Sequence, residues 1–229
     1  MIGYIFALLS AFAISVSGIA AKQALKKEHS LDFSLFAHIL GFLFLAPFVI
    51  WVDFGISKYH LGLIYLVSVF STFGFWFMIR ALRHMDISVE TPLSNIGILF
   101  TVFFGYIFLG ERLGVWHLVG VVFIVAGAYL LEVNHSTSPG ASRSKIDIWY
   151  PLKEFRNSRY IHFLFAGLIL YSLSSVVDRV VLKEVSVITY LFFVYLFLTI
   201  NNILLFVFLH KVPFSVVFKE AKDSAGWAV

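Results

Sequence analysis

Charged residues divide the chain into seven long stretches that carry none: 2–21, 33–52, 61–79, 91–110, 115–131, 160–177 and 185–209. Each is 17 to 25 residues long. That is the length at which an α-helix, rising about 1.5 Å per residue, crosses a hydrocarbon core about 30 Å thick. A helix satisfies its own backbone polar groups in lipid, which an open strand cannot do. The pattern predicts an all-α integral membrane protein with seven transmembrane helices.

Composition sharpens this reading. Sixty per cent of the 229 residues are hydrophobic and 13% are charged, against about half and about a quarter in a soluble domain. The first apolar run has no basic segment before it, so it is expected to stay as a membrane span rather than act as a secretory signal. The chain has no cysteine, which excludes disulfides and thiolate metal sites. Its net charge of +4 comes from loops, where basic residues set orientation or meet anionic headgroups. Nucleic-acid binding would need a concentrated basic surface, and none is expected.

Within this frame the stretch "FLGERLG", 108–114, sets Glu111 beside Arg112 between two uncharged runs. So short a connection makes the flanking helices antiparallel neighbours and marks a hairpin tip at the water interface. Gly110 and Gly114 flank the pair, and Glu111 is placed to meet the N-terminal dipole of the next helix. A role for Glu111 in transport is the alternative.

The longer segment "FLGERLGVWHLVGVVFIVAGAYLL", 108–131, resembles the fourth and fifth helices of EamA-type members of the drug/metabolite transporter superfamily. Its shared features are Leu-Gly-Glu, a short turn, Gly120, and a closing Ala126-Gly127. "RALRHMDISVETPL", 80–93, resembles the family's Ala-Leu-basic linker between helices three and four. The family's proline about thirteen residues before the glutamate is replaced here by Ile98, beside Gly97, with Pro92 nearer the helix start. The resemblance therefore does not carry a mid-membrane kink over to this chain.

An internal repeat adds to this. A shift of 157 residues lays "SVSGIAAKQALKK", from Ser15, on "SLSSVVDRVVLKE", from Ser172, pairing Ser15 with Ser172, Ser17 with Ser174, Lys22 with Arg179 and Lys26 with Lys183. Five predicted helices precede the second copy, and an odd number makes the copies enter the membrane from opposite sides, the inverted-repeat design of secondary transporters. The expected organisation is a first five-helix repeat over 1–134, a polar linker over 135–159, and the start of a second repeat over 160–229. A second copy as long as the first would run past Val229, so it is expected to be truncated; a natural seven-helix protein is the other reading.

Small residues at Gly3, Ala7, Ala11 and Ser15 line one face of the first helix, and Gly120, Ile124 and Ala128, with Gly127, partly repeat this on the fifth. Such stripes let helices approach closely. Lys and Arg number 13 in the loops after helices one, three, five and seven and 4 on the opposite side. The positive-inside rule places the first group in the cytoplasm and the N-terminus outside, whereas the family resemblance implies a cytoplasmic N-terminus. Orientation stays open.

A transport site is expected near mid-membrane, with a few polar and aromatic groups in an apolar wall. The candidates are His38, Ser71, Thr72, Trp76, Ser94, Asn95, Tyr171, Ser172, Ser174, Asn201 and Asn202. Each has a structural alternative: Ser and Thr bond to their own helix, Asn and His serve as interhelical hydrogen-bonders, and Trp76 joins an interfacial belt. No acidic residue lies inside the seven runs, so a mid-helix glutamate that exchanges protons, as in the small multidrug branch, is not supported. Asp178 is the coupling candidate, with an ion pair to the adjacent Arg179 as its alternative. Glu90 reads as a partner for a helix N-terminus.

The resemblance implies a secondary transporter, a permease or exporter, that moves a small organic metabolite by alternating access in the inner or plasma membrane. A non-transporting scaffold is the alternative. No catalytic residue, metal site or cofactor is expected: neither a Gly-x-Ser-x-Gly elbow nor a His-Glu-x-x-His helix occurs, and 185–209 has no lysine for retinal. Expected partners are the substrate and the lipid bilayer, and a homodimer is compatible with the sequence.

Overall fold

The computed structural model describes residues 2–111, 114–116, 119–124, 126–127 and 158–210. The described residues form helices and turns, without strands. They comprise α1 (Ile2–Ala24), α2 (Ser30–Leu45) continued by a 3-10 segment (Ala46–Trp51), α3 (Lys58–His84), α4 (Ile87–Ser94), α5 (Gly97–Leu109), α6 (Arg159–Val181) and α7 (Val187–His210). Five of the predicted runs appear as helices long and apolar enough to span a bilayer: Gly3–Ala24, Ser30–Trp51, Lys58–His84, Arg159–Val181 and Val187–Leu209. Much of the fifth predicted helix with Ala128, most of the linker, Arg112, and the tail after residue 210 lie outside the described residues.

Local chemistry sets the boundaries. The Ser57 side chain accepts from the His60 amide and starts α3. Pro47 has no N–H to continue the α-ladder, so α2 tightens into the 3-10 segment. Gly110 ends α5 with φ +64°, a left-handed conformation that costs glycine little. The amide of Glu111 then turns back to the Gly105 carbonyl at 3.3 Å.

One predicted helix is not continuous. The fourth run, 91–110, is broken at Asn95 and Ile96 into α4 and α5. There the amides of Ile96, Ile98 and Leu99 bond to carbonyls three residues back, at 3.0, 3.1 and 2.9 Å, which tightens the chain into a 3-10-type turn. Tertiary partners support the break. The Ser172 hydroxyl donates to the Gly97 carbonyl at 3.1 Å, and Thr101 bonds to both Gly97 and Ser172. Hydroxyls of this kind make irregular backbone tolerable inside a helical bundle.

The centre of the bundle is α3 against α6. Here a Cβ built on Gly167 would stand 2.9 Å from the Gly74 carbonyl oxygen and 2.7 Å from Met78 Cγ, so the two backbones meet closely. Ala81, Leu164 and Leu168 bury one end of this contact. Ile64, Val67, Val181, Tyr190 and Val194 bury the other, where α7 joins. By contrast α1 is exposed along most of its length, and Gly3, Ala7, Ala11 and Ser15 meet no packed partner among the described residues. Among the described residues its anchorage is at the C-terminal end: Leu25 packs with Ile79 and Leu82, and the Lys22 ammonium donates to the Leu82, Arg83 and Met85 carbonyls. Those three acceptors sit at the C-terminus of α3, where a cation is favoured.

Candidate functional site

Between α1, α2, α3, α4 and the facing side of α7 lies a cavity of about 700 Å³. Its wall is mostly apolar, with Phe33, Phe75, Met78 and Ile79 prominent, and the polar groups are few: Ser15, Ser17, His38, Glu90, Thr91, Ser94 and Tyr195. This mixture suits a small organic molecule held by burial and oriented by a handful of polar contacts.

His38 is buried and bonds through Nδ1 to the Ser34 carbonyl at 2.7 Å. A carbonyl only accepts, so Nδ1 carries a proton and, in the neutral ring, Nε2 is left as an acceptor. The ring meets Phe75 edge-on at 4.9 Å and Tyr195 at 6.4 Å between centroids. Close approach of α2 to α7 here depends on Gly41, where a Cβ would lie 2.4 Å from Tyr195 Cε1.

Glu90 sits in the first turn of α4, as the sequence suggests, and it also lines the cavity. It is buried and accepts from the Ser94 hydroxyl at 2.8 Å. It lies outside the five long spans. Burial pushes its carboxyl above the usual glutamate range, opposed by hydrogen bonding from Ser94, the charge of Lys22 and hydrogen bonding from Thr91.

Of the sequence candidates, His38 and Ser94 line this cavity. The others are placed elsewhere. Ser71 bonds to Ser174 at 2.9 Å between α3 and α6, and Ser172 supports the break before α5. Asn202 is buried, accepting from Ser34 at 2.7 Å and donating to the Leu198 carbonyl at 2.8 Å. Thr72 bonds back to the Ser68 carbonyl, and Asn201 donates to the Ser68 hydroxyl; both border a separate apolar groove of about 520 Å³ between α3 and α7. Tyr171 packs over Gly74, Asn95 is exposed at the helix break, and Trp76 lines a basic pocket at the end of α3.

Asp178 and Arg179 do not pair with each other. Asp178 accepts from the Tyr190 hydroxyl at 2.5 Å. Arg179 instead gives both of its close contacts, 2.6 and 2.7 Å, to the carboxylate of Glu111. The sequence reading missed Glu90 and Tyr195 as cavity residues. Tyr195 carried a usable signal, because the shift of 157 that defines the repeat makes it the counterpart of His38.

The model of the EamA-like transporter family matches residues 1–133 of the 229. The chain belongs to this family. With five helices long and apolar enough to cross a bilayer, it is a multi-pass membrane protein of a transporter family. An uncharacterized transporter in the cobO 3′ region of Sinorhizobium sp is 44% identical over 54 residues, 24% of this chain and 38% of that protein. Mouse (Mus musculus) solute carrier family 35 member G1 is 26% identical over 132 residues, 57% of this chain and 36% of the relative. A probable 4-amino-4-deoxy-L-arabinose-phosphoundecaprenol flippase subunit, ArnE, of Photorhabdus laumondii is 30% identical over 77 residues, 34% and 65% respectively. The chain thus spans between 36% and 65% of the length of these relatives. No solved structure matches it significantly.

Proposed function

We propose that the chain is a secondary transporter that moves a small organic metabolite across a cell membrane by alternating access, with the cavity around His38, Glu90 and Tyr195 as its substrate site. The observation that carries this is the wall of that cavity: it draws on α1 to α4 from the first proposed repeat and on Tyr195 from the second. A site at the interface of two copies is where inverted-repeat carriers bind their cargo.

The repeat itself has support in the helix boundaries. α1 ends at Ala24 and α2 starts at Ser30; α6 ends at Val181 and α7 starts at Val187. Both boundaries are displaced by the same 157 residues that align Ser15 with Ser172. Two helices and their connection therefore recur with one spacing, which fits a first copy over 1–134, a linker over 135–159 and a second copy from 160.

Counterflow into proteoliposomes tests the function. Vesicles holding the purified full chain are preloaded with unlabelled amino acids, other small metabolites or amphipathic drugs, one class at a time, and given the labelled compound outside. Saturable uptake above protein-free vesicles is expected for at least one class, and Ser17→Trp, which fills the cavity, abolishes it. Uptake no greater than in protein-free vesicles across all classes would mark the chain as a non-transporting scaffold.

A further inference from the structure

A second pocket of about 430 Å³ lies apart from the central cavity, at the junction of the α3 C-terminus with the α2 N-terminus. Trp76, Arg80, Arg83 and His84 from the last three turns of α3 line it, with His29 and Ser30 from the start of α2. Two guanidinium groups and two imidazoles thus converge on one concavity. We infer that this pocket holds the phosphodiester headgroup of an anionic phospholipid.

The arginines are positioned in ways that leave their charge in place. Arg80 lies 4.7 Å from the Phe163 ring centroid and 5.7 Å from that of Trp76. Ring faces of this kind attract and orient a cation but do not neutralise it. Arg83 donates from Nη1 to His29 Nδ1 at 2.7 Å, a hydrogen bond to a ring nitrogen that leaves the guanidinium charge in place. His84 stacks on Tyr160 with centroids 4.2 Å apart and is fixed by a bond from Nδ1 to the Arg80 carbonyl. Neither arginine is needed to cap α3, because Lys22 already occupies the carbonyls there. Asp32, in the first turn of α2, is not part of the lining.

Depth and composition select the lipid over a soluble anion. The pocket sits where the spans Ser30–Trp51 and Lys58–His84 begin and end, the level at which arginine, tryptophan and tyrosine side chains meet headgroups. A phospholipid in the same leaflet is confined to this plane, so its effective concentration at the pocket far exceeds that of dissolved phosphate. Basic pockets between membrane helices recognise lipid phosphates by this combination of charge and location.

Native mass spectrometry of the full chain tests the inference, after reconstitution in phosphatidylcholine nanodiscs with and without phosphatidylglycerol. The wild type is expected to retain phosphatidylglycerol over phosphatidylcholine. Arg83→Gln should lower that retention about fivefold, the loss of roughly one juxtamembrane cation, while Arg83→Lys keeps most of it. Lys183→Gln, in the turn between α6 and α7, should leave it unchanged. Equal retention of the two lipids by the wild type would overturn the inference, as would an Arg83→Gln protein that keeps its preference. Displacement of the lipid by equimolar inorganic phosphate would also overturn it and reassign the pocket to a soluble anion. If Arg83→Gln fails to fold, the wild-type lipid preference and the Arg83→Lys result still decide.

Discussion

Arg179, in the last turn of α6, reaches both oxygens of the Glu111 carboxylate just beyond the end of α5, at 2.6 and 2.7 Å. The Leu-Gly-Glu glutamate of the first proposed repeat is thereby tied to the first helix of the second. Gly105 leaves room for it, since a Cβ there would lie 2.8 Å from Glu111 Oε2. Both side chains are nearly half exposed, at 45% and 44%, so solvent screens the pair. Glu111→Gln is expected to cost about 0.5 kcal/mol in thermal unfolding. Arg179→Met should cost a similar amount, and the double variant little more than either alone. Additive losses would show that the two residues act independently.

Asn202 and Ser34 form a buried interhelical hydrogen bond at 2.7 Å. Asn202→Leu strands the Ser34 hydroxyl and should cost about 0.6 to 1.7 kcal/mol. Adding Ser34→Ala removes the stranded group and should recover part of the loss. A double-mutant cycle in detergent measures the coupling, and a cycle that closes at zero would contradict the assigned bond.

Gly167→Ala places a methyl against the Gly74 carbonyl and Met78. A side chain can step aside but the α3 backbone cannot, so overpacking should cost about 1–3 kcal/mol. Gly120→Ala is the contrast, with nothing within 4 Å of its Cβ among the described residues, and should change stability by less than about 0.5 kcal/mol. Comparing the melting temperatures of the two variants reads this out directly.

Glu90 makes stability depend on pH with a definite sign. Its folded value lies above the ordinary 4.5, so the folded chain holds the proton more firmly than the unfolded one. The stabilisation is complete below the unfolded value and is lost as pH rises from there through the folded value. The charged or titratable groups around it are Lys22 from α1, His38 from α2 and Tyr195 from α7; α3 presents apolar side chains to the same cavity. The informative quantity is the difference between wild type and Glu90→Gln, which isolates this carboxyl from every other group. The wild type should lose stability relative to the variant as pH rises above the ordinary glutamate value of 4.5, and the loss levels off once the folded carboxyl has ionised. A flat difference would mean that the carboxyl is solvated.

The long helices were legible because lipid imposes a length and an apolar composition, and α1, α2, α3, α6 and α7 meet both. The break at Asn95 and Ile96 was not, since its hydroxyl partner, Ser172, comes from a helix more than seventy residues later. Polarity inside an apolar run was an ambiguous guide to the cavity. It found His38 and Ser94, but it also selected Ser71, Ser172 and Asn202, whose hydrogen bonds join helices. A polar group in a membrane needs a partner whether it binds cargo or another helix. Glu90 reads from the sequence only as a partner for a helix N-terminus, because it precedes the uncharged run by one residue, and the fold turns it toward the cavity as well.

The three bonds from Lys22 give α1 an asymmetric attachment among the described residues, secured at its C-terminal end while the rest of the helix is exposed. Ser15 and Ser17 on this helix form part of the cavity wall. Such a helix is hung like a door on one post. Swinging its unsecured end outward would uncover the cavity toward the lipid, giving an amphipathic solute a sideways entrance from the bilayer itself.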